Sequence, residues 1–131
     1  MTNLPAVVRW DLNGEDAEKL QNFYGKLFDW DFKDSNHPNK YRYIEAESGS
    51  GGIGGGIGEL QKTDDPQNEV TRAQQHSGLL FYVRVERLEP YLERVERLGG
   101  KVVWGPLKIH EGLELAQVMD PEGNRVGLMQ N

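Results

Sequence analysis

The sequence predicts an α+β protein made of two tandem βαβββ modules. Three observations predict it. Two segments carry apolar residues at helical spacing, and strand-like stretches flank both of them in the same order. Sliding the chain against itself by 71 positions superposes the two series: Trp10 falls on Phe81, Leu12 on Val83, Glu15 on Glu86, Glu18 on Glu89, Leu27 on Leu98 and Phe32 on Val103. Without a gap, GGGIG at 54–58 falls on RVGLM at 125–129. Identities are few, so the recurring order of elements carries the repeat. The expected organisation is one domain over 1–131, with a first module at about 5–58, a linker at about 59–76 and a second module at about 77–131.

Each element has a local reason. VVRWDL alternates as a strand does. EDAEKLQNFYGKLF sets Ala17, Leu20, Tyr24 and Leu27 on one helical stripe, with Asn13 or Asp16 available as the cap. DWDF and KYRYIEAE read as further strands. The polar stretch ELQKTDDPQNEVTRAQQH reads as linker. LLFYVRV opens the second module as a strand, and LEPYLERVERLGG then sets Leu88, Tyr91, Leu92, Val95 and Leu98 on a second stripe. Pro90 suits the first turn of that helix, and Gly99-Gly100 suit its end. KVVWG reads as a strand. In AQVMDPEGNRVGLMQ, Pro121 fixes φ and Gly123-Asn124 tolerate left-handed backbone, which makes a hairpin.

SGSGGIGGGIG at 48–58 matches GxGxxG from Gly49 to Gly54. A phosphate-cradling loop needs a helix opening on the glycines. Only ELQKTDD follows before Pro66, too short for one. The repeat makes the run the last strand of the first module instead, where bare backbone permits a bulge or a close approach.

Composition bounds the rest. A chain of 131 residues with 37% hydrophobic and 27% charged residues suits one globular domain. Zero cysteines exclude disulfides, a thiolate nucleophile and zinc–thiolate sites. A net charge of −6 disfavours nucleic acid and anionic membrane as partners. No apolar run is long enough to span a bilayer, and MTNLPAVVRW has no signal-peptide pattern, so a cytoplasmic protein is expected.

The sequence resembles the vicinal oxygen chelate superfamily, which includes glyoxalase, bleomycin-resistance proteins and extradiol dioxygenases. The carrying stretches are VVRWDLNGEDAEKLQNFYGKLFDWDF, GGIGGGIG, GLLFYVRVERLEPYLERVERLGGKVVWGP and AQVMDPEGNRVGLMQ, the last being the most specific. The resemblance implies a curved mixed sheet around a pocket, with the helices on its outer face. Val8, Trp10 and Leu12 would then pack under the first helix, with Val7, Arg9 and Asp11 in the pocket. Phe81, Val83, Val85, Val126 and Leu128 would face the second helix. Leu80, Tyr82, Arg84, Arg125, Gly127 and Met129 would face the pocket. Ile53, Gly55 and Ile57 would point to the helix, Gly54 and Gly56 inward.

Metal-using members take ligands from each module's first and last strands. The resemblance places those positions at Arg9, Gly56, Leu80 and Gly127. Leu80 and the glycines have no donor side-chain atom, and Arg9 is a permanent cation that repels a metal. No metal and no cofactor are therefore expected. His37, His76 and His110 read as surface histidines. His110, beside Glu111, is kept as a candidate pocket-rim or acid–base residue. Asp11 is a candidate base, with a salt bridge to Arg9 on the same strand face as the plainer role. The glycines leave either room for a bulky ligand or a space filled by Tyr41 or Tyr43.

Three functions fit these residues. One is a metal-free binding protein that takes a small-molecule ligand, sequestering a drug or metabolite, with Trp104, Tyr82 and Met129 as apolar walls. Asp11 or Glu45 would meet a cationic group, and Arg9 an anionic one. The second is a lyase, isomerase or dioxygenase with atypical metal ligands or metal-free acid–base residues. The third is an interaction module with a vestigial pocket. The resemblance and the 18-residue linker further imply a homodimer.

Overall fold

A computed structural model describes residues 4–36 and 40–131. His37 lies outside the described residues. The chain divides into two compact units, Arg9–Leu79 and Leu80–Asn131, the latter taking in the chain up to Val8. The predicted repeat is present. β1 (Ala6–Gly14), α1 (Ala17–Phe28), β2 (Lys33–Asp34), β3 (Arg42–Ile44) and β4 (Gly54–Glu59) are followed by β5 (Gly78–Arg84), α2 (Leu88–Arg97), β6 (Lys101–His110), β7 (Leu113–Met119) and β8 (Arg125–Gln130). A 3₁₀ turn, Arg72–Gln74, interrupts the linker. The α+β class predicted from the sequence is the class observed. Among the described residues, no helix is long and apolar enough to cross a membrane.

In the first module the strands run β2-β3-β4-β1, with β1 and β4 parallel and the other pairs antiparallel. Of the two caps offered for α1, Asp16 is the one used: its Oδ1 accepts the Lys19 N–H at 3.0 Å. Asp29, in the left-handed region at φ 58°, ends the helix. Ala17 and Ile57 are fully buried and Phe32 nearly so, with Trp10, Leu12, Leu20, Tyr24 and Ile44 against them. Burying Ile57 contributes roughly 2–3 kcal/mol. Gly55 lets this core close. A Cβ there would sit 2.1 Å from the Trp10 indole, so only bare backbone lets the ring lie on β4.

Three expectations need correction here. Leu27 does not join the stripe: it is 56% exposed, because the helix is nearly over where it would face the core. DWDF is not a strand, and β2 starts only at Lys33. Trp30 stacks on Trp10 and meets Phe28 and Phe32, so ring packing rather than ladder pairing sets that segment. Ile53 precedes β4 and is exposed rather than turned to the helix.

In the second module the strands run β5-β8-β7-β6, again with the first pair parallel. Val85, Leu88, Leu92, Ala116, Val118 and Leu128 form the core under α2, with Val83, Tyr91, Val95 and Val126 against it. The β7–β8 turn is held by Asp120, whose Oδ1 accepts the Glu122 and Asn124 N–H groups at 2.9 Å each, with Gly123 at φ 88°. The other sheet face has its own apolar cluster: Leu80, Tyr82 and Met129 with Val8, Leu113 and Leu115. Val8 was expected under α1; it packs in this cluster instead, so its side chain is covered by the second unit. Phe81 and Leu98 were expected to face α2 and are exposed. Leu98 caps the helix rather than belonging to it, and its side chain lies past the last buried turn.

The strand registers match the repeat residue for residue. Asp11↔Gly56 and Leu12↔Ile57 in the first module become Tyr82↔Gly127 and Val83↔Leu128 in the second, each shifted by the 71 positions read from the sequence.

Candidate functional site

The first module gathers Arg9, Asp11 and Gly56 around one residue, Tyr41. Asp11 and Gly56 are paired across β1 and β4, and Tyr43 pairs with Gly56 from β3. Tyr41, two residues before Tyr43, takes the space over Gly56: a Cβ on Gly56 would lie 2.1 Å from the Tyr41 ring. Of the two tyrosines that could have filled the gap, Tyr41 does. Its hydroxyl donates to Asp11 Oδ1 at 2.8 Å and accepts from Arg9 Nη2 at 3.3 Å. Arg9 Nη2 also donates to the Gly55 carbonyl at 3.3 Å, and Nη1 stands 3.7 Å from the exposed Glu45 carboxylate.

The expected direct bridge between Arg9 and Asp11 is thus replaced by a relay. Residues two apart on a strand face stand about 7 Å apart. A tyrosine hydroxyl, both donor and acceptor, spans that gap.

The electrostatics follow from this burial. Asp11 is pushed up to about 6, first by loss of water and against the Tyr41 hydrogen bond and the Arg9 charge. The Tyr41 phenol is pushed up by burial and then by Asp11, so it stays neutral and donates. For Arg9, burial is the largest single influence and acts downward. Tyr41, Asp11 and Glu45 together outweigh it and leave the guanidinium raised. Around neutral pH the cluster therefore holds a fixed cation, a neutral phenol and a carboxyl group that is mostly ionised and takes up its proton near pH 6.

The second module repeats the design with other residues. A Cβ on Gly127 would lie 2.3 Å from the Tyr82 ring, so Tyr82 covers this glycine as Tyr41 covers Gly56. The ladder sets Tyr82, Gly127, Gln117 and Trp104 in one row across β5, β8, β7 and β6. Gln117 is the buried polar side chain of this row, at 6% exposure. Its Nε2 donates to the Tyr82 hydroxyl at 2.8 Å, and its Oε1 accepts from Arg125 Nη1 at 2.9 Å. Burial lowers the Arg125 guanidinium, with Tyr82 opposing. Leu80 and Met129 stand beside Tyr82 in the apolar cluster, and Trp104 is half-buried at the far end of the row.

His110 joins neither group. It is exposed, and its Nδ1 is 2.9 Å from the Glu111 carbonyl. His76 has its Nε2 2.9 Å from the Leu79 carbonyl at the linker's end. An open depression lined by Glu15, Gln61, Arg72 and Gln75 contains none of the predicted site residues. Gln117 was missed from sequence. A signal existed, since an amide at an inward position of the alternating LELAQVM is a buried polar group that needs partners.

Among the described residues, no three His, Asp or Glu side chains cluster closely enough to hold an ion. Two of the four positions named by the resemblance are glycines under tyrosine rings.

Comparison with known proteins places these observations. The model of the Glyoxalase/Bleomycin resistance protein/Dioxygenase superfamily matches residues 6–128. Among solved structures, a glyoxalase/bleomycin resistance protein/dioxygenase superfamily member from Vibrio splendidus 12B01 superposes with a TM-score of 0.60 at 18% identity, covering 98% of this chain and 100% of that one. Methylmalonyl-CoA epimerase of Streptomyces coelicolor, in complex with 2-nitronate-propionyl-CoA, gives 0.61 at 14% identity, covering 98% and 99%. A hypothetical protein from Bacillus halodurans C-125 gives 0.65 at 13% identity, covering 98% and 96%. At these identities the likeness is one of fold. The sequence finds no match among curated proteins.

Proposed function

Because the chain belongs to the Glyoxalase/Bleomycin resistance protein/Dioxygenase superfamily, we propose that it is a metal-free small-molecule-binding protein of that superfamily, a cytoplasmic homodimer that sequesters a drug or metabolite. One observation carries this reading. The positions the family resemblance gives to metal ligands hold Arg9, Gly56, Leu80 and Gly127, and tyrosine rings occupy the space over both glycines. Such faces offer hydrogen bonds and aromatic surface rather than a Lewis acid.

Arg9 and Asp11 are the ligand-facing polar groups of the first module. In the second module half-buried Trp104 is the aromatic group within a ligand's reach; Tyr82, Leu80 and Met129 are buried behind it, and Gly127 lies under the Tyr82 ring, so they would shape the wall from within. Among the described residues Arg9 has two bonds at 3.3 Å and a distant, solvent-screened carboxylate. A ligand oxygen would add to these. The experiment is a thermal-shift screen of aromatic carboxylates and carbonyl compounds, with calorimetric titration of any hit on Arg9→Leu. The variant should bind such a hit with about 1.5–3 kcal/mol less free energy, or about 10- to 150-fold more weakly. Equal affinity would contradict the assignment.

A second reading, metal-free acid–base catalysis by a lyase or isomerase, is favoured by Asp11 alone. A carboxyl group at about 6 is suited to take and return a proton near neutral pH. On that reading Asp11→Asn would bind substrate and fail to turn it over. His110, exposed and held at the Glu111 carbonyl, lies outside the Asp11 cluster.

A further inference from the structure

The linker is more than a spacer. Gln61 and Gln75 close its ends on each other: the Gln61 N–H donates to Gln75 Oε1 at 2.8 Å, and Gln75 Nε2 donates to the Gln61 carbonyl at 3.5 Å. Between them, Gln61 Nε2 donates to the Val70 carbonyl at 3.2 Å, Asn68 Nδ2 donates to Gln61 Oε1, and the Arg72 N–H donates to Asp64 Oδ1 at 2.7 Å. A compact loop with joined ends, held by its own side chains, is an Ω-loop, a frequent place for function. A flexible spacer needs none of these bonds, and ordering each residue costs backbone entropy.

The loop borders the open depression described above, whose volume of about 350 Å³ is at the small end for ligand sites. The Leu60 N–H donates to the Gly14 carbonyl at 2.9 Å, which extends the β1–β4 pairing and brings Glu15, between β1 and α1, to the rim. Arg72 Nη1 donates to the Lys62 carbonyl at 2.8 Å, so the guanidinium is held in place and two cations line the loop side. Among the described residues, neither cation nor Glu15 has an ion-pair partner. Two cations on one wall repel each other until an anion comes between them. An arginine fork suits a carboxylate, which it can bind by two parallel bonds. Glu15 repels a ligand that is only an anion and attracts one that also carries an ammonium group.

We propose that this depression is a second binding site, separate from the Arg9–Tyr41–Asp11 cluster, for a small zwitterion of the amino-acid type. The ligand carboxylate lies on Arg72 and Lys62, and its ammonium group on Glu15. Ser77 offers a hydroxyl, and Leu60 an apolar contact for the ligand side chain. A zwitterion uses both signs of charge in the lining. A dicarboxylate would leave one of its charges against Glu15, and a simple amine would meet both cations.

The test is a titration of the full chain, followed by its backbone amide NMR signals, with L-leucine, 4-methylpentanoate and isopentylamine. The last two are leucine without its amino group and without its carboxyl group. L-Leucine should shift the Leu60, Gln61 and Arg72 amides saturably. Each half-ligand should bind at least about 10-fold more weakly, the loss expected for one charge-assisted hydrogen bond. Glu15→Gln should bring leucine and 4-methylpentanoate to nearly equal affinity. Arg72→Gln should weaken both about 10-fold or more, and Arg97→Gln on α2 should change neither. Arg72 also holds the loop, so Glu15→Gln, at an exposed position, keeps the test decisive if Arg72→Gln disturbs the fold. No saturable shift at these amides with leucine, half-ligands that bind as tightly as leucine, or full discrimination in Glu15→Gln would overturn the site. Shifts confined to the residues around Arg9 would overturn it and leave the first site standing.

Discussion

Replacing Asp11 with Asn should stabilise the protein at neutral pH and leave it unchanged in acid. Asp11 carries a folded-state pKa of about 6 against an ordinary 3.8, because it is taken out of water faster than Tyr41 and Arg9 repay it. The folded state therefore holds the Asp11 proton more tightly than the unfolded chain does. Asp11 costs nothing below pH ~4. The cost grows between ~4 and ~6 and stays level above. The full difference corresponds to about 3 kcal/mol. Part of the residue still meets solvent, so we take about 2 kcal/mol. Asn keeps an oxygen to accept the Tyr41 hydroxyl, so the relay survives without the charge. Urea unfolding followed by circular dichroism at pH 4, 5, 6 and 7.5 reads the effect as variant minus parent, which cancels the other carboxylates. The difference should rise from near zero at pH 4 to about 2 kcal/mol at pH 7.5, equivalent to several degrees in Tm. A flat difference, or a variant less stable than its parent at pH 7.5, would refute the burial argument.

Three other changes follow from the same geometry. Gly56→Glu, which puts a carboxylate back at a metal-ligand position, should cost several kcal/mol in urea unfolding, because its Cβ would lie 2.1 Å from the Tyr41 ring on a buried strand. A stable variant would mean that Tyr41 leaves the site easily. Tyr82→Phe strands the buried Gln117 amide donor and should cost about 1–3 kcal/mol by the same assay. Arg9→Leu should weaken ligand binding and also lower stability at pH 7.5 by about 1–3 kcal/mol, with a smaller loss at pH 4, since it leaves the Asp11 carboxylate without the cation that opposes its burial. No loss at either pH would mean that the guanidinium does not support the carboxylate.

The sequence carried the architecture because the repeat is a matter of spacing. A single offset, taken from weak matches such as Trp10 with Phe81, predicted which residues oppose each other in both parallel strand pairs. It also placed the glycines correctly, since Gly56 and Gly127 fall at the same step of the same strand. What filled the space above them was not legible. Tyr41 and Tyr43 lie on one face two residues apart, and the choice depends on how the chain returns through Ser35 to Tyr41, whose carbonyl Ser35 holds by two bonds. Periodicity cannot see that closure. Nor can it see where a helix stops meeting its sheet, which is why Leu27 and Leu98 extend apolar stripes that the structure leaves in solvent. DWDF shows the converse, an alternating pattern whose rings pack on one another instead of joining a ladder.

Elemental analysis is the most direct test of whether this chain binds its ligand without a metal. The protein should be purified without an affinity tag and analysed for zinc, iron, nickel and manganese before and after a mild chelator. Far less than one equivalent of any of them per chain is expected, with no recovery of metal on dialysis against the free ion. About one equivalent that resists the chelator would contradict it. It would mean that residues other than Arg9, Gly56, Leu80 and Gly127 build a centre.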